Sequence, residues 1–362
     1  MFLRYIHSFR ALAIVSVVAA HCISLFDWGS TSWPYQLILS LIPNCTVFFV
    51  FISGFLFQHR SNDFEYRRFL KSRLLNVVVP YVIVSLPMIA AQAVTRSGVF
   101  DPACTHHSPA VAQNVAWSLL TGHHILIPFW FIPMIAVFYV LAPVLLWIDR
   151  HGRWYCLLPL LLTAAIFIHR PTDLDRILHS CAYFLPFYLY GMWVSHYRER
   201  VLAWHARWLP VLLTVVAALV WLEVVSHGAG YIKSAAMFST ENGIVDTNAL
   251  QKLLLCGVLL VILRWLGEEV HSRLKPLADA SFGIFFLHMY FVKGYAHFLA
   301  PNTSPGAGLW RYWLAFAVVV TLCVGYPWFG KQVLSACHSV VVGARPVANA
   351  WDTSRMEAQR SA

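Results

Sequence analysis

Ten apolar runs joined by short polar loops leave this chain few ways to fold. They fall at residues 8–26, 35–57, 74–95, 125–148, 154–168, 179–197, 208–226, 249–266, 280–299 and 310–329. About 20 apolar residues in a helix span the ~30 Å hydrocarbon layer of a bilayer, and lipid forces each crossing segment to satisfy its own backbone. Only the fifth run, 154–168, is short for a crossing. The chain is 59% hydrophobic and 12% charged, whereas a soluble domain carries roughly 25% charged residues. These charges are too few to cover a water-exposed surface. The expectation is an all-α, polytopic integral membrane bundle of about ten transmembrane helices. The first run follows Arg4 and Arg10, lacks a small-x-small cleavage site and is followed by many others, so it reads as a retained helix and not a signal peptide.

A net charge of +10 in a soluble protein would suggest nucleic acid. Here the cations sit in alternate loops, which points to orientation in a membrane and excludes nucleic acid as a partner. Arg60, Arg67, Arg68, Lys71 and Arg73 fall between runs two and three, and Arg150 and Arg153 between four and five. Arg198, Arg200 and Arg207 follow run six, while Arg264, Arg273 and Lys275 fall in the segment 264–275 that closes run eight. The opposite loops hold Arg96, Arg170, Arg176 and Lys233, offset by acids such as Asp173 and Asp246. Both termini are therefore expected in the cytoplasm. Residues 1–342 read as one membrane domain and 343–362 as a flexible cytoplasmic tail. Cysteines lie mostly in apolar runs with no CxxC pair, so neither a disulfide framework nor a zinc site is expected.

Ionisable groups inside apolar runs are costly to place in lipid and are candidates for function. Arg10 and His21 lie in FRALAIVSVVAAH, eleven positions apart. At 100° per residue they share a helix face, ~16 Å apart along the axis. Arg10 is then near the cytoplasmic boundary and His21 beyond the midplane. The plainer reading is a snorkelling anchor and an interfacial histidine. Ser281 and His288 are seven residues apart on one face of the ninth run, with Lys293 further outward. Glu223 lies in the outer third of the seventh run, Trp130 opens the fourth, and Ser53 precedes Gly54, a small pair suited to close helix packing. Ser53, Trp130, Glu223, Ser281 and His288 are candidates to line a polar cavity. In the basic stretch, Arg68, Lys71 and Arg73 serve either orientation alone or an anion site for a phosphorylated cytoplasmic ligand. The pairs His106–His107 and His123–His124 follow no metal-ligand spacing, and no metal is expected.

In order along the chain, several segments carry a resemblance. They are Arg10 with His21, FFVFISGFLF, the basic stretch ending in Pro80–Tyr81, Trp130–Phe131 with Pro143 downstream, YFLPFYLYG up to Gly191, and SFGIFFLH. The set resembles membrane acyltransferase family 3, bacterial O-acyltransferases of ten spans. The resemblance implies transfer of an acyl group, usually acetyl from cytoplasmic acetyl-CoA, to a carbohydrate hydroxyl on or beyond the outer face. The family's essential Arg and His fall on Arg10 and His21. Its Arg-x-x-Arg motif falls on Arg73 and Asn76, so the second arginine is replaced here. Some members carry a fused esterase-like domain, for which this chain has no room, so the membrane domain is expected to complete the transfer itself.

The expected function is a membrane-bound O-acetyltransferase of the bacterial inner membrane. It would modify a surface or exopolysaccharide sugar, as a lipid-linked repeat unit or within a polysaccharide assembly complex. Acetyl-CoA is a co-substrate, and no tightly bound cofactor is expected. Arg68, Lys71 and Arg73 would meet its phosphates, Arg10 would hold the ligand, and His21 would act as general base or transient acetyl carrier. The competing classes are a transporter or flippase for a lipid-linked saccharide, which would use the same cavity, and a structural partner of the assembly machinery. Transporters commonly show repeated halves, and no internal repeat is present.

Overall fold

A computed structural model describes residues 3–26, 32–95, 111–122, 126–173, 176–226, 232–240, 243–298 and 309–333. The histidine pairs at 106–107 and 123–124 and the tail at 343–362 lie outside them. The described chain is almost wholly helical. Helix α1 is Arg4–Cys22, α2 is Trp33–Leu41 and α3 is Thr46–His59. Then come α4 (Tyr66–Arg73), a π-helical turn over Leu74–Val78, α5 (Val79–Thr95) and α6 (Val111–Thr121). The middle of the chain forms α7 (Phe131–Val140), α8 (Ala142–Arg150), α9 (Leu158–Phe167), α10 (Ile177–His196), α11 (Arg198–Arg207) and α12 (Leu209–Val225). The last three are α13 (Thr247–Trp265), α14 (Glu268–Phe298) and α15 (Leu309–Val333). One two-residue pairing, β1 (Arg170–Pro171) with parallel β2 (Lys233–Ser234), joins two loops.

Among the described residues, four helical stretches are long and apolar enough to cross a membrane: Arg4–Leu25, Trp33–His59, Tyr66–Ala90 and Thr247–Trp265. Two bent pairs, α7 with α8 and α11 with α12, raise the number to six. The architecture is that of an all-α membrane protein. Prolines explain why several apolar runs are not single rods. A proline inside a helix removes an amide donor and clashes with the preceding turn, but it is accepted in the first turn. Pro43 falls between α2 and α3, and Pro143 and Pro210 stand in the first turns of α8 and α12. The bends that precede these last two helices are 55° and 70°.

Broken helices expose backbone carbonyls, and in lipid an unsatisfied polar group costs several kcal/mol. At the α2–α3 break, Asn44 adopts a left-handed φ of 62°. Lys252 from α13, fully buried at 0% exposure, donates from Nζ to the carbonyls of Ser40 at 3.0 Å and Leu41 at 2.9 Å, and to Gln251 Oε1. Its neighbour in this network is Glu223 of α12. Glu223 accepts from Ser40 Oγ at 2.7 Å, Asn248 Nδ2 at 3.1 Å, Thr247 Oγ1 at 3.3 Å and Gln251 Nε2 at 3.4 Å. The break is thereby sealed by side chains from two other helices.

Lipid tails are as apolar as leucine, so helices in a bilayer associate through close packing more than through hydrophobic burial. Among the described residues, the most extensive helix contact is α3 against α10. A Cβ built on Gly54 would lie 2.0 Å from the Tyr188 carbonyl oxygen, and one on Gly191 would lie 2.0 Å from the Phe51 carbonyl oxygen. Two glycines on facing helices thus let the backbones touch. Around them Phe9, Phe48, Phe51, Phe55, Phe184, Phe187 and Tyr188 form the aromatic core. Gly54→Leu and Gly191→Leu should each abolish the monodisperse detergent-solubilised peak on size-exclusion chromatography, because the backbones must part. Ser53→Ala, on the half-buried neighbour, should keep it.

Candidate active site

Helix α1 lies along α14, with α3, α13 and α15 around it. Paired residues rise together on the two helices, so α1 and α14 run parallel. Arg4 pairs with Glu268, and Ser8 Oγ lies 2.7 Å from His271 Nδ1. His7 meets Asp279 at 3.0 Å, and Asp279 also meets Lys275 at 3.2 Å. Next along the interface, Arg10 Nη2 donates to Ser281 Oγ at 2.8 Å. The Ser281 hydroxyl donates in turn to the Ala278 carbonyl at 2.7 Å. Beyond it the rings of His21 and His288 face one another with centroids 5.3 Å apart. The eleven-residue spacing of α1 and the seven-residue spacing of α14 therefore meet in two contacts along one seam.

The second histidine is the more confined. His288 is 0% exposed, and its Nδ1 sits 3.0 Å from the Ile284 carbonyl, which can only accept. Nδ1 therefore carries the hydrogen, and Nε2 presents a lone pair when the ring is neutral. That Nε2 is buried with no hydrogen-bond partner. An orphaned buried acceptor is costly unless a ligand or solvent group meets it. His21 is only half-buried, so this end of the seam is more open.

The basic stretch separates into two kinds of residue. Arg68 and Lys71 are exposed on α4. Arg73 turns inward: its guanidinium carbon lies 5.0 Å from the centre of the Phe69 ring and 5.4 Å from that of Tyr139, and its Nε is buried without a hydrogen-bond partner. Arg73 and Arg60 are both near enough to Arg10 for electrostatic repulsion. Three arginines from α1, the α3–α4 corner and the end of α4 therefore converge at the Arg10 end of the seam. The π-helical turn begins immediately after Arg73, and such turns are frequent at functional sites. Asn76 does not join the arginines; it is exposed and donates to the Ser72 carbonyl at 2.8 Å.

Trp130 and Glu223 make different contacts. Trp130, a candidate to line the cavity, is buried at 6% exposure, with the Arg170 guanidinium 4.9 Å from its ring centre. Glu223, 1% exposed, locks α2, α12 and α13 together through the network at the α2–α3 break and is no part of the α1–α14 seam. Ser53 sits half-buried beside the α3–α10 contact, where its small size serves packing. A groove of about 670 Å³ lies apart from the seam, lined by Tyr155, Trp193, Tyr197, Arg200 and Trp204 among others. No group of three or more metal-ligating side chains occurs among the described residues. Sequence reasoning passed over Lys252, Arg60 and the pair Arg170–Lys233. Lys252 had a usable signal, a charge within the eighth apolar run. The other three look like ordinary loop cations.

The architecture and the seam together define an integral membrane protein whose α1–α14 seam carries an Arg–Ser pair and a facing His–His pair. The family model of the acyltransferase domain, acyltransferase family 3, matches residues 3–328, and the chain belongs to that family. It is a membrane acyltransferase. No curated protein and no solved structure matches the chain.

Ser281 is the only side-chain partner that this geometry gives the Arg10 guanidinium across the seam, among the described residues. Ser281→Ala should lower acyl transfer in membranes roughly tenfold, since a hydrogen bond to a charged group contributes ~1.5–3 kcal/mol. Ser281→Thr, which keeps the hydroxyl, should restore most of the rate at equal protein level.

Proposed function

We propose that this protein transfers an acetyl group from cytoplasmic acetyl-CoA to a hydroxyl of a surface or exopolysaccharide sugar, on a lipid-linked repeat unit, across the bacterial inner membrane. The observation that carries the reading is the α1–α14 seam, with a cluster of cations at one end and two facing histidines at the other. Parallel packing of α1 and α14 requires an odd number of crossings between them, as the ten-span arrangement with cytoplasmic termini has. In that arrangement the Arg10, Arg60 and Arg73 end faces the cytoplasm, where acetyl-CoA is made.

In this mechanism Arg73, with Arg68 and Lys71 outside it, receives the CoA phosphates, and Ser281 holds Arg10 toward the inner mouth of the seam. The pantetheine arm lies along α1, covering the ~16 Å between the levels of Arg10 and His21. At the far end a ring nitrogen of His21 takes the proton of the acceptor hydroxyl. The acceptor oxygen then bonds to the thioester carbonyl carbon, and the C–S bond breaks. CoA leaves as a thiolate and takes the proton back from the histidine. His288, fixed through Ile284, sets the orientation of His21. A histidine suits this role because its ordinary pKa, about 6.5, lies near working pH.

The broken α2–α3 helix is the feature that would favour a transporter, since transporters place discontinuous helices at their binding sites. Here Lys252 and the Glu223 network already satisfy the carbonyls freed at the break, which leaves them no substrate ion to coordinate. The two readings part in one experiment. Deleting the gene should leave polysaccharide yield unchanged and remove its acetate, read by proton NMR of the purified polymer. Wild-type complementation should restore the acetate and His21→Ala should not. Loss of the polymer itself would establish the transporter, and full acetylation by His21→Ala would sink the mechanism.

The donor end has its own expectation. Arg73→Gln should raise the apparent KM for acetyl-CoA roughly tenfold, for the loss of a buried charged contact. Arg68→Gln and Lys71→Gln should each change it by less than about threefold, because exposed ion pairs contribute ~0–1 kcal/mol. Radiolabelled acetyl transfer in membrane vesicles measures all three.

A further inference from the structure

The groove beside α11 has no part in the seam or the donor site, and its composition is that of a membrane–water boundary. Helix α11 is bent from α12 by 70°. With the apolar α12 crossing the bilayer, a helix turned this far from it lies along the membrane surface. The residues of α11 suit that place. Val201, Leu202 and His205 are buried against the protein, while Trp204 and Trp208 are exposed. Tryptophan gathers at headgroup level because its ring is apolar and its N–H is polar. Across the groove, the 3-10 turn Gly152–Leu157 brings up Arg153, whose guanidinium carbon lies 5.7 Å from the centre of the Trp154 ring. Tyr155, Trp193, Tyr197 and Trp204 wall the space of about 670 Å³, which Arg153 and Arg200 also line. Both arginines are exposed, and neither is in an ion pair among the described residues. The acids nearby in sequence are committed. Asp149 accepts from the Tyr155 hydroxyl and meets His196 Nδ1, each at 2.8 Å. Glu199 meets Arg198 at 3.1 Å and Arg264 at 2.9 Å. The lining therefore holds two positive charges, aromatic walls and no acid.

We propose that this groove binds one anionic phospholipid from the leaflet in which α11 lies. That leaflet is the cytoplasmic one in the orientation proposed above; the inference rests on that orientation for the leaflet and on none of the acyltransfer chemistry. The lipid phosphate lies between Arg153 and Arg200, each of which presents parallel N–H donors to its oxygens. The acyl chains lie against the aromatic walls and run past Trp204 into the bilayer. Charge selects the lipid. A zwitterionic headgroup brings its own ammonium to the two arginines, whereas a phosphatidylglycerol headgroup does not. Basic pockets at the cytoplasmic ends of membrane helices suit such headgroups. Bound there, the lipid ties the corner between α8 and α9 to α11.

Cys156 lies in the groove and is exposed, so its own thiol reports occupancy in the full chain. Ser272→Cys, at an exposed position near the start of α14, supplies a reference thiol away from the groove. Alkylation by uncharged N-ethylmaleimide is followed at both positions by peptide mass spectrometry. In nanodiscs of dioleoyl phosphatidylglycerol, Cys156 should react at least threefold more slowly than in dioleoyl phosphatidylcholine, with the reference thiol unchanged. Arg153→Gln combined with Arg200→Gln should abolish this protection, and the two changes to Lys should keep part of it. Arg207→Gln, at an exposed position of α11 outside the groove lining, should keep all of it. Equal rates in the two lipids overturn the proposal. So does protection that survives the double change to Gln, or that is lost with Arg207→Gln. Protection in lipid-free detergent by acetyl-CoA, or by raised protein concentration, would assign the groove to the donor or to a second copy and overturn it as well. The leaflet is read separately with a membrane-impermeant maleimide, which should label Cys156 in inside-out vesicles and spare it in right-side-out ones. The reverse pattern would overturn the orientation and leave the lipid site standing.

Discussion

The parallel contact between α1 and α14 organises everything else in this molecule. It is made by the first and one of the last helices of the matched region, so the chain must close on itself before the contact exists. Each rung depends on the helical period of both partners: Arg10 reaches Ser281 and His21 faces His288 because eleven residues on one helix and seven on the other return to the same faces. The rungs are also chemically graded. Arg4, His7 and Ser8 pair with the charged start of α14, which is the wettest part of the seam. Past Ser281 the interface turns apolar, and the next polar groups are the two histidines.

That seam needs a frame that does not yield, and two devices supply it. The first is the glycine contact of α3 with α10, where direct backbone approach replaces the hydrophobic drive that lipid cannot provide. The second is the Lys252–Gln251–Glu223 network, in which the amide of Gln251 bridges a buried ammonium and a buried carboxylate. Burying two charges is costly unless every donor and acceptor is met. Here the ammonium meets backbone carbonyls that the α2–α3 break would otherwise leave bare. The charge and the break therefore resolve one another, and neither would be tolerable alone.

The sequence reveals the seam well and the frame poorly, for a physical reason. Arg10, His21, Ser281 and His288 are spaced at helical periods within their own runs, so their shared faces can be read locally. Gly54 announces close packing in the same local way. Glu223, by contrast, shows only its cost: its partner Ser40 is 183 positions away, and nothing local distinguishes a packing carboxylate from one in a cavity. Helix α14 extends back to Glu268 although its first turns are polar, and α11 is a helix although its composition reads as a loop. Both carry exposed tertiary ion pairs, Arg4 with Glu268 and Arg264 with Glu199, that no window of sequence contains.

The distribution of cations then acquires a meaning beyond orientation. Loop arginines are usually read as topology signals because most of them touch only water and headgroups. In this chain Arg73 and Arg170 are each turned against aromatic rings, which hold a guanidinium in place through its face. Arg73 keeps a buried Nε with no hydrogen-bond partner, whereas Arg198, Arg264 and Arg273 are spent in ion pairs with Glu199 and Glu269. The ring-held arginines lie toward opposite ends of the Arg10–His21 line: Arg73 acts on Arg10, and Arg170 acts on His21.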